Sequence, residues 1–150
     1  MESKTGSVTI HRVLTAPPNR VYEAFLNASA LAKWLPPYGF TCQVHEYLGE
    51  VGGQFKMSFT NFSKGSSHSF RGEYLELIPH QLIRYTNQFD DANLPGTIEV
   101  TIQIQAVLCG SEIKIEQKNI PAVIPVEMCY LGWQESLQQL AHLVEPNIPG

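Results

Sequence analysis

The spacing of apolar residues changes twice along the chain, from mixed to two-residue and then to helical, and the changes mark out its architecture. In VTIHRVLT (8–15), Val8 and Ile10 alternate with polar neighbours, and Val13 and Leu14 follow less cleanly; the segment predicts a first strand. APPN then stops it with two prolines, and Asn19 is a candidate helix cap. Val21, Ala24, Phe25 and Ala28 fall at spacings of three and four, which predicts a helix over Arg20–Asn27. Ser29 is the candidate cap of a second short helix, ALAKWL, which Pro36 and Pro37 end.

From Phe40 the period drops to two. Phe40, Cys42 and Val44, with Glu46 next in phase, alternate with Thr41, Gln43 and His45. After a glycine-marked turn (49–53), Phe55, Met57 and Phe59 share one face, with Lys56 and Ser58 on the other. HSFRGEYLELI (68–78) puts His68, Phe70, Gly72 and Tyr74 on one face, and QLIRYTNQF (81–89) does the same with Ile83, Tyr85, Asn87 and Phe89. Ile98, Val100, Ile102 and Ile104 alternate with Glu99, Thr101, Gln103 and Gln105, and a Cys109-Gly110-Ser111 turn leads into EIKIEQ with Ile113 and Ile115 inward. The last stretch, about 123–144, returns to helical spacing through Tyr130, Trp133, Leu137, Leu140 and Val144. The prediction is an α+β domain with a curved antiparallel sheet of about seven strands. One apolar face is covered by one long C-terminal helix, and two short helices follow strand 1.

Length and composition narrow this further. At 150 residues, 43% hydrophobic and 16% charged, the chain is expected to form one domain over 1–150, with the polar stretch MESKTGS (1–7) loosely ordered. The net charge of −4 and the absence of a basic cluster argue against nucleic acid as a partner. No run approaches the roughly 20 apolar residues of a membrane span. Three widely spaced cysteines, Cys42, Cys109 and Cys129, together with the absence of a secretory signal, read as small buried hydrophobes in a cytoplasmic protein.

Five segments resemble one branch of the START/Bet v 1-like (SRPBCC) superfamily. They are VTIHRVLTAPPNRVYEAFLNASALAKWL, EVGGQFKMSF, RGEYLELIPHQLIRYTNQF, the hairpin of TIEVTIQI and SEIKIEQKNIP, and LGWQESLQQLAHLVE. The branch is the one related to the C-terminal domain of the Hsp90 ATPase activator (AHSA1-like), and the resemblance spans residues 8–145. It implies a helix-grip fold. The loops NFSKGSS and DDANLPGT depart from the branch's pattern, and in such folds these loops rim the cavity.

Candidate chemistry is sparse. The five histidines show neither HxH nor HxxxH spacing, so no metal site is expected. No nucleophile motif or phosphate-cradling loop occurs, and no cofactor is implied. Asp90 and Asp91 read as solvated loop charges. The remaining candidate is a cavity lined by Phe55, Met57, Phe59, Phe70, Tyr74, Tyr85, Asn87 and Trp133, with Trp34 near its mouth. It would suit a small hydrophobic or aromatic molecule. A polyketide cyclase/aromatase-like enzyme using Glu73, Glu76, His68 or Tyr85 is the alternative that the resemblance brings, with binding favoured over catalysis. A chaperone or other protein contact ranks third, because no exposed apolar patch is apparent in the sequence. Unpaired edge strands leave room for a homodimer. The Gly132-Trp133 pair in the last helix raises its own expectation. The glycine is expected where the sheet bends toward the helix, permitting close backbone approach, or where a pocket opens, so that Gly132→Leu would disturb packing or the pocket.

Overall fold

The computed structural model describes residues 5–150. Residues 1–4 of the stretch expected to be loosely ordered lie outside the described residues, and Gly6 and Ser7 belong to the first strand. In chain order the elements are β1 (Gly6–Leu14), α1 (Pro18–Leu26), α2 (Ala28–Trp34), β2 (Phe40–Tyr47), β3 (Gln54–Asn61) and β4 (Ser67–Ile78). They continue with β5 (Leu82–Phe89), β6 (Ile98–Val107), β7 (Gly110–Ile120) and α3 (Val126–Val144). The seven strands form one curved antiparallel sheet in the order β1-β7-β6-β5-β4-β3-β2, so β1 and β2 are its edges. Consecutive strands from β2 to β7 pair as hairpins, and β1 closes the order beside β7 through pairs such as Ile10↔Ile115.

The alternation in the sequence sets which face is buried. Ile98, Val100, Ile102 and Ile104 of β6, and Ile113 and Ile115 of β7, are all buried. Each such side chain contributes about 1.5–3 kcal/mol by leaving water. Two irregularities change the phase where simple alternation would fail. A register shift between Val44 and Glu46 leaves Glu46 exposed and turns Tyr47 toward the core, correcting the in-phase placement of Glu46. A second shift, between Tyr74 and Glu76, brings Leu77 against Ile83. An extra residue on one strand bends it and increases its twist.

The helix starts also differ from expectation. Pro17, not Asn19, occupies the N-cap of α1 and makes no side-chain cap bond; Pro18 follows in the first turn, where a missing N–H would have had no partner anyway. Asn27, not Ser29, caps α2, its Oδ1 accepting from the Ala30 N–H at 2.9 Å. That choice follows from chain direction: α1 ends at Leu26, and only Asn27 lies between the helices with extended backbone.

α3 packs on β1, α1 and α2. Its buried side is Trp133, Ser136, Leu137, Leu140, Ala141 and Val144. Tyr130, expected in this stripe, is exposed instead, because the inward side of the helix at this end runs through Cys129 and Trp133, one position away. Polar contacts fix the helix in place. Arg12 Nη2 donates to Gln138 Oε1 at 2.9 Å, and Arg20 Nη1 donates to the Val144 carbonyl at 2.9 Å. Ser136 Oγ donates to the Leu35 carbonyl at 2.6 Å, and Gln139 Nε2 to the Trp34 carbonyl at 3.0 Å.

Candidate functional site

With α3 tied to β1 and to the α1–α2 pair, the half of the sheet formed by β2–β5 curves away from its N-terminal turns. A cavity of about 270 Å³ opens between them. Its floor is sheet: Phe55, Met57 and Phe59 from β3, Phe70 and Tyr74 from β4, and Tyr85, Asn87 and Phe89 from β5. Its roof is the α3 stretch Cys129, Gly132, Trp133 and Ser136, and Leu35 and Pro37 after α2 close one side. Phe40 and His68 complete the rim.

Aromatic rings interlock across the floor. Phe59 and Phe70 meet edge-on at 4.9 Å between centroids, and Phe55 contacts both Tyr74 at 5.5 Å and Tyr85 at 5.7 Å. Gly72 makes this arrangement possible. Phe55 faces it across the β3–β4 register, and a Cβ on Gly72 would collide with the Phe55 ring and the Thr86 carbonyl. The room this glycine leaves is therefore filled by Phe55.

Eight of the nine residues expected at the cavity line it: Phe55, Met57, Phe59, Phe70, Tyr74, Tyr85, Asn87 and Trp133. Trp34 does not. It is completely buried between the short helices, its ring edge-on to Phe25 at 4.7 Å and its Nε1 donating to the Ala24 carbonyl at 2.9 Å. A tryptophan just before two prolines looks like a rim residue in sequence. The turn from α1 into α2 instead folds it inward. Gly132 departs from one of its two expected arrangements, the close backbone approach. A Cβ there would meet nothing within 4 Å, so the glycine borders open cavity space and no backbone approaches it closely. Trp133 is a fixed wall, its Nε1 donating to Gln117 Oε1 of β7 at 2.9 Å.

Among the lining residues outside the expected nine are Gln117, Cys129 and Ser136. Two of them carried a signal. Gln117 continues the inward phase of Ile113 and Ile115, and Ser136 lies three residues beyond Trp133 and four before Leu140.

The polar groups at the site differ in how they are satisfied. The Tyr74 and Tyr47 hydroxyls bond each other at 3.0 Å. Burial pushes the pKa of both phenols up. Burial also raises that of Tyr85, whose hydroxyl has no hydrogen-bond partner among the described residues. Asn87 Oδ1 is buried and likewise unpartnered. His68 is exposed at the rim, but one side rests among Phe40, Phe59 and Phe89, and the loss of solvent lowers its pKa. Burial raises the Cys129 thiol and pushes Cys42 up to about 11. Cys109 is exposed in the β6–β7 turn, which corrects its reading as a buried hydrophobe.

Among the described residues no lysine, arginine, aspartate or glutamate lines the cavity. Glu76 pairs with Arg84 Nη1 at 3.2 Å, and Glu73 borders a groove with Lys56 and Arg71 on the opposite face of the sheet. Of the four candidate acid–base groups, only His68 and Tyr85 reach the cavity. Asp90, read as a solvated charge, is held by Ser69 Oγ at 2.8 Å and Arg71 Nε at 2.9 Å, which keep its carboxyl below the usual range. Among the described residues no three His, Cys, Asp or Glu side chains gather as a metal would require, and no helix is long and apolar enough to cross a membrane.

A curved antiparallel sheet closed by one C-terminal helix, with two short helices after the first strand, is the helix-grip architecture. Within it, the chain belongs to the family of Activator of Hsp90 ATPase homolog 1-like proteins, whose model matches residues 15–145. The crystal structure of CV1439 from Chromobacterium violaceum is 56% identical, with 94% of this chain and 98% of that one covered at a TM-score of 0.93. NE0264 from Nitrosomonas europaea is 20% identical, with 92% and 93% covered at a TM-score of 0.77. A Rhodobacter sphaeroides protein is 17% identical, with 93% and 95% covered at a TM-score of 0.81. The last two are alike in fold alone. No curated protein matches the chain.

Proposed function

We propose that the protein binds a small hydrophobic or aromatic molecule in the cavity between the β2–β5 half of the sheet and the N-terminal half of α3. The observation that carries this reading is the cavity itself. At about 270 Å³ it is near the lower end of ligand sites, and its walls are apolar side chains with a few polar tips. An engineered apolar cavity of ~150 Å³ holds benzene, so one or two fused rings suit the space. Burial of apolar area supplies the affinity, at roughly 25 cal/mol per Å² before the costs of association.

The reading is tested by melting the protein with a panel of uncharged mono- and bicyclic aromatics. A ligand at 100 times its Kd adds about 2.7 kcal/mol, which for a chain of this size is roughly 5–11 °C. A panel in which no member raises the melting temperature in a saturable way would set the reading aside.

A second reading, contact with an Hsp90-type chaperone, draws on the family and on one observation. Val123, Met128, Tyr130 and Leu131 are exposed at the start of α3, an apolar surface not apparent from the sequence. Stimulation of the cognate chaperone's ATPase, lost on Met128→Glu with Leu131→Glu, would support it. No stimulation at micromolar protein would remove it.

A further inference from the structure

The chemistry of the lining narrows the ligand class, an inference that rests on the cavity being a binding site. We infer that the ligand is uncharged and carries a hydroxyl or carboxamide group that meets the side-chain amide of Asn87.

Two observations lead there. The first is charge. Among the described residues no ionic side chain lines the cavity, and the one histidine that does, His68, stands at the rim with a pKa lowered by burial. A carboxylate or ammonium taken inside would lose its hydration and find no counter-charge, which costs several kcal/mol per ion. A neutral ring loses little. The second is the amide. Asn87 lies on β5 between Tyr85 and Phe89, and all three line the cavity. Its Oδ1 is buried without a partner, whereas buried polar atoms are paired in the large majority of cases. The nearby polar groups are committed elsewhere: Tyr74 to Tyr47, Gln117 to Trp133, and Ser136 to the Leu35 carbonyl. Asn87 and the Tyr85 hydroxyl are left without protein partners among the described residues. A hydroxyl both donates and accepts, and so does a carboxamide. Either group satisfies the amide whichever way its oxygen and nitrogen point.

The test uses the full chain and four probes on one frame: naphthalene, 2-methylnaphthalene, 2-naphthol and 2-naphthoate. Kd values are measured by calorimetry or tryptophan fluorescence at pH 8, where naphthoate is ionised and naphthol is not. Changing methyl to hydroxyl alters the ligand's own hydration, so the informative quantity is the naphthol-to-methylnaphthalene affinity ratio in wild type against Asn87→Leu. The ratio is expected to fall about 3- to 10-fold in the variant, the size of one net hydrogen bond. Naphthoate is expected to bind at least ~100-fold more weakly than naphthol. Asn87→Leu removes an unpaired buried polar atom, so it is expected to fold at least as stably as wild type; Asn87→Ala repeats the comparison with a smaller side chain.

An unchanged ratio in both variants overturns the role of Asn87, and naphthoate binding as tightly as naphthol overturns the exclusion of charge. Either result leaves neutral binding itself intact. Failure of all three neutral probes to saturate defeats the binding reading, and with it this inference.

Discussion

Replacing Gly132 separates stability from cavity volume in a single position. The residue is in the interior of α3 with helical backbone, and an added Cβ meets no atom within 4 Å. Gly132→Ala should therefore recover the helix propensity that glycine forfeits, about 1 kcal/mol, without any clash. For a chain of 150 residues that is a rise of roughly 2–4 °C in melting temperature. Gly132→Leu should gain nearly the same propensity and also place four carbons into the cavity. At ~0.8 kcal/mol per buried CH₂, and with part of the side chain still near the rim, the total is about 2–3 kcal/mol, or roughly 4–12 °C. The same leucine takes space a ligand ring would use, so affinity for 2-naphthol should fall at least tenfold, ~1.4 kcal/mol. Calorimetric melts of wild type and both variants, with and without naphthol, read both effects. The reasoning is refuted if Gly132→Ala lowers the melting temperature, or if Gly132→Leu binds naphthol as tightly as wild type.

Further outcomes follow from the surrounding contacts. Trp34→Ala should cost about 3–5 kcal/mol in urea denaturation, because it empties a fully buried site and leaves the Ala24 carbonyl without its donor; a loss below 1 kcal/mol would contradict the core assignment. His68 has a pKa below its ordinary value, so the folded state takes up its proton later than the unfolded chain. Its effect is therefore absent above about pH 6.5 and lowers stability as pH falls through that value toward the folded pKa. An NMR titration of the imidazole should show the depressed midpoint, and Phe59→Ala should move it back up by admitting water. Alkylation by iodoacetamide at pH 8 should modify exposed Cys109 first and Cys42 last, since burial both shields the Cys42 thiol and raises its pKa to about 11; early Cys42 labelling would argue against its burial.

The strands were legible because one face of the sheet is buried almost everywhere, and burial writes a period of two into β3, β5, β6 and β7. The same rule recovered eight of the nine expected lining residues, since facing the sheet's concave side and facing the cavity coincide there. The errors occur where local spacing is overridden by geometry that the chain acquires only on folding. A single extra residue in β2 exchanged Glu46 for Tyr47, and no residue type marks that bulge in the sequence. Trp34 is buried by the angle between two short helices. Tyr130 matches the apolar spacing of α3, but the inward side there runs through its neighbour Cys129. Gly132 was the hardest to read. In sequence a helical glycine beside tryptophan suggests either tight backbone contact or an opening, and only the position of the opposite wall shows that it borders empty space.

The central claim, that the cavity under α3 is a binding site for a neutral ring, is tested most directly by an amide-detected NMR titration with 2-naphthol. Saturable shifts should gather at Phe55, Met57, Tyr85, Asn87, Gly132 and Trp133. An absence of saturable shifts up to millimolar ligand, or shifts confined to the opposite face around Lys56, Arg71 and Glu73, would contradict it.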